Sequence, residues 1–344
     1  MARGLSLVSY ALSRLLLALP MLLILLTVLF VVLRVLPGDP VLALWGGRPP
    51  SDPSIIANAR SQLGLDKPIW EQYWDYLTRV FRGDLGTSIG IQYRNHPVWD
   101  EIAVRLPATI ELTIGSMLVA STVGILAGTI AGAKRDSWID VTIRLWGTII
   151  WVIPVFWLGL IFQLVFAIWL GWFPPHGRWT GSDFPKGPTG LYSVDSLLEG
   201  NFDHFVKSIR HLLLPSMTLG LVLSGFFTKT VRANMLQTVR ADYSDAARAR
   251  GISESRVVYR HAFRNALVPV VTVLGLQFAI LFAGAVLTER TFSIEGIGTL
   301  LLQSITSKDM TMIQGVVVVY AVIIVGISLV VDIIGAMIDP RIRL

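Results

Sequence analysis

The sequence predicts an all-α integral membrane protein with six transmembrane helices, and three observations carry that prediction. Hydrophobic residues make up 53% of the 344 and charged residues only 15%, against a charged share of roughly 25% in a soluble domain. Six stretches, 15–33, 112–133, 145–172, 212–228, 266–287 and 313–331, contain no Asp, Glu, Lys, Arg or His. Each is about as long as the roughly 17 to 25 residues a helix needs to cross the hydrocarbon. The third observation is where the charge sits. With the N-terminus in the cytosol, the inner segments 1–14, 134–144, 229–265 and 332–344 hold fifteen basic and seven acidic residues, a charge of +8. The outer segments 34–111, 173–211 and 288–312 hold fourteen basic and sixteen acidic residues, a charge of −2. The whole basic excess lies on one side, which predicts an N-in, C-in chain.

Taken in order, the cytosolic N-terminus 1–14 carries Arg3 and Arg14 ahead of the first span, 15–33. Nineteen uncharged residues exceed the core of a secretory signal, and no small-x-small cleavage site follows, so the run reads as a span. A long outer loop, 34–111, comes next. Within 68–82 the residues Trp70, Tyr73, Trp74, Leu77, Val80 and Phe81 recur at three- and four-residue spacing, the pattern of an amphipathic helix. Such a helix can lie on the outer leaflet, pack on the spans, or offer a platform to an extracytoplasmic partner.

The remaining chain, 112–344, forms the core. The second span, 112–133, repeats Gly124, Gly128 and Gly132, a bare stripe on which another helix can approach closely. The third, 145–172, has Trp138 and Trp146 toward one end and Trp169 and Trp172 at the other, as indole rings at the two interfaces would be placed. Trp151 and Trp157 flank Pro154 at greater depth and suit either helix packing or the lining of a path. The fourth span, 212–228, leads into the inner loop 229–265, followed by the fifth, 266–287, and the sixth, 313–331.

Several functions are excluded by what is missing. No cysteine is present, so disulfides, thiolate metal sites and cysteine nucleophiles are out. The span interiors hold no ionisable residue, Glu111 and Asp332 lying at span ends, which disfavours proton or sodium coupling within this chain. There is no Gly-Lys dipeptide and hence no phosphate-binding loop for ATP. The five histidines, His96, His176, His204, His211 and His261, lack the close spacing of a metal pair. The chain is therefore expected to carry no catalytic residue, no metal and no cofactor of its own. Its basic residues suit anionic lipid, and nucleic acid is an unnecessary partner.

The inner loop 229–265 is the most informative segment. It is basic and centred on the run Asp242, Tyr243, Ser244, Asp245, Ala246, Ala247, Arg248, Ala249, Arg250 and Gly251. Asp245 favours a helix start through the dipole, Ala246 and Ala247 leave a bare face, and Gly251 can stop the helix in a left-handed conformation. A short surface helix of this kind suits docking into a groove, and a solvated loop with basic anchors is the alternative.

The spacing Asp245-Ala246-Ala247-x-x-x-Gly251 resembles the E-A-A-x-x-x-G loop of ATP-binding-cassette (ABC) importer permeases, with Asp in the Glu position. The run from Asp242 to Pro269, with Arg256, Val257, His261, Ala262, Arg264, Asn265 and Ala266, is similar to the dipeptide/oligopeptide/nickel permease family. So are Pro37-Gly38-Asp39-Pro40, Gly64-Leu65-Asp66-Lys67-Pro68, Gly83-Asp84-Leu85-Gly86, Trp157-Leu158-Gly159, Phe292-Ser293 with Gly296 and Gly298, and Asp339-Pro340-Arg341-Ile342-Arg343. The Pro-Gly-Asp-Pro element and the long first outer loop look most like the B subunit of dipeptide permeases. Glu295 stands where the family commonly has Pro.

The resemblance implies a type I importer in the inner membrane of a prokaryote: a paralogous permease, two ABC ATPase subunits or domains that bind ATP and Mg, and an extracytoplasmic peptide-binding protein. It implies that Asp242, Tyr243, Asp245, Ala246, Ala247, Arg250 and Gly251 couple to the ATPases, whose closure would rock the spans. Candidates for the translocation path, shared with the paralogue, are Trp151, Pro154, Trp157 and Gln277. Candidates for docking the binding protein are Trp70, Trp74, Asp84 and Glu295. Dipeptides or short oligopeptides are the expected cargo, with nickel chelates, glutathione, haem or oligosaccharides as alternatives. A passive homo-oligomeric channel or uncoupled carrier is the competing function.

Overall fold

The structure, a computed structural model, describes residues 7–35, 41, 44, 45, 50, 52–62 and 64–338. The Pro37-Gly38-Asp39-Pro40 element and the terminal run from Asp339 lie outside the described residues. In chain order the helices are α1 (Leu7–Val35), α2 (Pro53–Gln62), α3 (Ile69–Phe81), α4 (Val98–Ala133), α5 (Trp138–Val152) and α6 (Val155–Phe162). After α6 a π-helical stretch, Gln163–Trp169, precedes α7 (Tyr192–Leu198), α8 (Phe202–Val239) and α9 (Asp242–Ala249). A turn, Glu254–Arg256, and a second π-helical stretch, Val257–Ala262, lead into α10 (Phe263–Gly284), followed by α11 (Val286–Thr291), α12 (Ile297–Thr306) and α13 (Met310–Ile338). Among the described residues the only strand-like pairing is one antiparallel bridge between Thr87 and Pro97.

Helices α1, α4, α8, α10 with its lead-in, and α13 are long and apolar enough to cross a membrane. The sixth candidate is a broken pair, α5 and the run Val155–Trp169, bent by 100°. The sequence reading takes 145–172 as one span; the corner has a local cause. Pro154 cannot donate to the helical ladder, and its ring pushes the residue before it out of the helical region. Ile153 accordingly adopts φ −64°, ψ 128°. Several helices also run past their uncharged stretches, α8 by ten residues before 212 and eleven after 228.

Two compact units divide the chain. The larger comprises Ala108–Ile294, with the described residues of Met1–Ala11 and of Ile327–Leu344. Its centre is α8, the most buried of the helices long enough to cross a membrane among the described residues. Close approach is obtained by glycines on both sides. A side chain at Gly124 would strike Phe227, one at Gly128 would strike Val231, and one at Gly132 would strike Met235. In return Gly220 faces Ser116 and Val119, and Gly225 faces Gly147 and Ile150. Leu112, Leu214, Phe227 and Phe292 fill the apolar centre.

One polar element ties α5 to α8. Arg232 donates from Nε to Asp140 Oδ1 (2.6 Å) and from Nη2 to Oδ2 (2.7 Å), a two-point fork. Asp140 is fully buried. It also accepts from the Asp136 amide (3.1 Å), and its own amide is capped by Ser137.

The smaller unit comprises Leu12–Pro107 and Glu295–Gly326. Here α3 packs Tyr73, Tyr76, Leu77 and Val80 against Leu26, Phe30 and Val318. The Tyr76 ring stacks on Phe30, and the Tyr73 hydroxyl pairs with that of Thr27 (2.7 Å). The apolar stripe of α3 is thus divided between two directions. Tyr73, Leu77 and Val80 turn inward with Tyr76, while Trp70, Trp74 and Phe81 stay exposed. At about 100° per residue these seven groups spread over about 160° of the circumference, wider than the roughly 100° stripe that one packing face needs.

Candidate functional site

The inner loop is built as a compact hairpin. The chain leaves α8 at Val239, turns at Ala241, forms α9 and reverses at Gly251. Gly251 sits at φ +73°, where a Cβ would be strained, yet nothing lies within 4 Å of where one would stand. Its amide donates to the Arg248 carbonyl (2.9 Å), and the Ile252 amide to the Ala247 carbonyl (3.2 Å). That pair of bonds is the Schellman arrangement, which satisfies carbonyls a helix end would otherwise leave open. At the other end Asp242 and Asp245 occupy the first turn, where the helix dipole favours negative charge.

Arg248 holds the hairpin closed. It donates from Nε and Nη2 to the two carboxylate oxygens of Glu254 (both 2.9 Å), and from Nη1 to Asp245 Oδ1 (2.7 Å) and the Val239 carbonyl (3.2 Å). Glu254 first, and then Asp245, raise the affinity of its guanidinium for its proton. On the other side the buried Ser244 hydroxyl donates to the Thr238 carbonyl (2.8 Å). Below the hairpin, Val258 of the π-helical stretch packs with Val231 and Met235 of α8 and with Ala266 and Val270 of α10. A force on α9 therefore reaches two long helices through short, rigid contacts.

Of the seven residues expected at the coupling surface, Asp242, Tyr243, Asp245, Ala246, Arg250 and Gly251 are exposed. Ala247 is not: it is buried, so the bare face expected of Ala246 and Ala247 together is presented by Ala246 alone. Consecutive helical residues point about 100° apart, and with Ser244 and Ala247 turned inward, Ala246 faces out. Arg248 and Ser244, which hold the loop together, were not among the expected site residues. The i, i+3 spacing of Asp245 and Arg248 was a usable signal for one of these bonds, whereas Glu254 lies beyond the reversal at Gly251.

The other candidates lie apart from the hairpin. Trp151, Pro154 and Trp157 are exposed at the corner between α5 and α6, with the Trp151 ring tilted against Phe226 at 5.6 Å. Gln277, on α10, is buried. In the smaller unit Trp70 and Trp74 stand one turn apart on α3 and are about two-thirds exposed. Asp84, also exposed, accepts from the Gly86 amide (2.8 Å) and lines a cleft of about 500 Å³ with Arg34, Tyr76, Arg79, Thr87 and Gln314. Glu295 is exposed at the approach to α12.

Glu111, placed at a span end by the sequence, lies inside α4 and is buried. It accepts from Arg178 Nε and Nη2 (3.0 and 2.6 Å) and from the Ser193 amide and hydroxyl (2.7 and 2.6 Å). With its oxygens engaged in this way it anchors the segment between α6 and α8. Among the described residues no group of three His, Cys, Asp or Glu is arranged to hold a metal.

The family model described as binding-protein-dependent transport system inner membrane component matches residues 124–344. The model of the corresponding N-terminal membrane component matches residues 7–113. The chain is similar to the di/tripeptide transport system permease protein DppB of Pseudomonas aeruginosa (strain UCBPP-PA14), 42% identical over 90% of this chain and 91% of the relative. It is similar to the dipeptide transport system permease protein DppB of Alkalihalophilus pseudofirmus, 40% identical over 98% of this chain and 100% of the relative. It is also similar to the glutathione transport system permease protein GsiC of Escherichia coli O6:H1, 36% identical over 98% and 99%. With its apolar helices and matches to both family models over most of its length, the chain belongs to the binding-protein-dependent transport system inner membrane component family, and is a multi-pass permease of the inner membrane.

Proposed function

We propose that this chain is one membrane-spanning subunit of an ATP-driven importer of dipeptides or short oligopeptides. A paralogous permease completes the path, an extracytoplasmic peptide-binding protein delivers the cargo, and two ABC ATPase subunits or domains supply the energy by hydrolysing ATP with Mg. The chain lies N-in and C-in, so that α9 faces the cytosol. The observation that carries the reading is the hairpin: a short helix clamped by Arg248 to Glu254 and Asp245, exposing Asp242, Tyr243, Asp245, Ala246 and Arg250 as a docking face. Two relatives named for peptide transport support peptide as the cargo, and the one named for glutathione transport belongs to the same chemical class. Trp151, Pro154, Trp157 and Gln277 are the proposed path residues, Trp70, Trp74, Asp84 and Glu295 the proposed contacts of the binding protein.

The docking claim has a clean test. Ala246→Glu adds charge and bulk on the exposed face without touching the hairpin's interior, so it is expected to abolish ATPase copurification and peptide uptake while membrane insertion stays unchanged. Ala247→Glu instead buries a carboxylate and is expected to loosen the hairpin itself, seen as faster proteolysis between α8 and α10. Wild-type uptake and ATPase recovery in Ala246→Glu would remove the docking role from this face of α9.

A further inference from the structure

We propose that the cleft between α5 and α8 is a seat for one anionic phospholipid, whose phosphate is held by Arg144, Lys229 and Arg232. The cleft, about 420 Å³, is lined by these three cations with Val141, Leu145 and Thr148. Asp140 is the carboxylate that faces them. Its Oδ1 takes Arg232 Nε at 2.6 Å and Arg144 Nε at 3.5 Å, so two guanidinium groups share one buried carboxylate. With Lys229 the group holds three positive charges against one negative, since Asp136, which also acts on Arg232, is balanced by its own ion pair to Arg135 (2.9 Å). Neither Lys229 nor Arg144 donates a hydrogen bond from its side chain to a described residue, and both are exposed. An excess of two charges, pre-positioned by a buried partner, suits a phosphodiester, which accepts from guanidinium and ammonium groups alike.

The choice of a lipid over a soluble anion comes from the wall beneath the cations. Val141, Leu145, Thr148 and Val152 follow one another along one face of α5, and all four are exposed. An acyl chain hanging from a phosphate at Arg144 runs down that face. A soluble phosphate would leave the strip uncovered. Basic pockets between membrane helices, at the end where cations gather, are the recurring setting for anionic headgroups. The inference rests on the membrane location of the chain and is independent of its cargo.

The experiment is native mass spectrometry of the full chain released from nanodiscs of equimolar phosphatidylglycerol and phosphatidylcholine. Wild-type chain is expected to retain one phosphatidylglycerol in preference to phosphatidylcholine. Replacing the two exposed cations, Arg144→Gln with Lys229→Gln, keeps the Asp140–Arg232 fork and is expected to weaken retention roughly 30-fold, as removal of two interfacial charges implies. Lys229→Arg should retain the lipid. Should the double variant fold poorly, a photoactivatable phosphatidylglycerol on wild-type chain reads the same seat, with cross-links expected at Leu145 or Thr148. Equal retention of the two lipids, undiminished retention in the variant, or cross-links confined elsewhere would overturn the proposal. So would displacement of the bound lipid by inorganic phosphate or by a dipeptide carboxylate at millimolar concentration, which would assign the cleft to a soluble anion.

Discussion

Arg232 and Asp140 are ninety-two positions apart in the chain and are joined by a two-point fork. Asp140 is fully buried, so Arg232→Gln would leave its carboxylate without its main counter-ion and with only Arg144, 3.5 Å away, in its place. The expected cost is about 3 kcal/mol or more, read as a lower midpoint of thermal unfolding in detergent. Asp140→Asn in the same chain removes the stranded charge and should recover most of that loss. An unchanged midpoint in the single variant would mean that solvent screens the pair. Nothing in the sequence pointed to this partnership, because both residues lie outside the uncharged runs and no local spacing joins them. The hairpin was more legible: the acidic first turn, the small residues and Gly251 are local signals, and their structure follows from local rules. The direction of Ala247 was not legible, since which side of a short helix is covered depends on the neighbours α8 and α10 provide.

At the scale of elements, the corner at Pro154 separates α5 from α6, and its origin predicts its removal. Pro154→Ala lifts the restriction on Ile153 and returns an amide donor to the ladder, so the run from Trp138 to Trp169 is free to extend as one helix. Spin labels at Val141 and Ile168 would then lie about 40 Å apart, the rise of twenty-seven helical residues. In the native chain a 100° bend holds them well short of that. Pulsed dipolar spectroscopy in nanodiscs distinguishes the two, and an unmoved distance would show that packing against α8, and not proline, sets the corner. The sequence marked Pro154 while still counting the run as a single span, because length and apolarity do not carry direction. The glycine stripe behaves differently. Gly124, Gly128 and Gly132 were legible as a packing face from spacing alone, and the structure supplies the partner, α8, with Gly220 on the surface that meets α4.

For the whole molecule the informative quantity is the side on which charge collects. The N-in, C-in arrangement predicts that Arg135 faces the cytosol and Ser182 the outside. The chain contains no cysteine, so single variants carry no background of their own. An impermeant maleimide added to intact cells is expected to label Ser182→Cys and to spare Arg135→Cys until the membrane is opened. The reverse pattern would invert the orientation and, with it, the side on which α9 is offered. The π-helical stretch Val257–Ala262 bears on how such a molecule can move. It stands between the hairpin and α10 and holds its backbone bonds one residue wider than an α-helix. That surplus residue can be handed along the helix one position at a time without unwinding it. Each such step advances the backbone by about 1.5 Å and swings the side chains through about 100°. On the proposed docking role of α9, such a shift would turn a push on the hairpin into rotation of α10, as a screw turns a thrust into a twist.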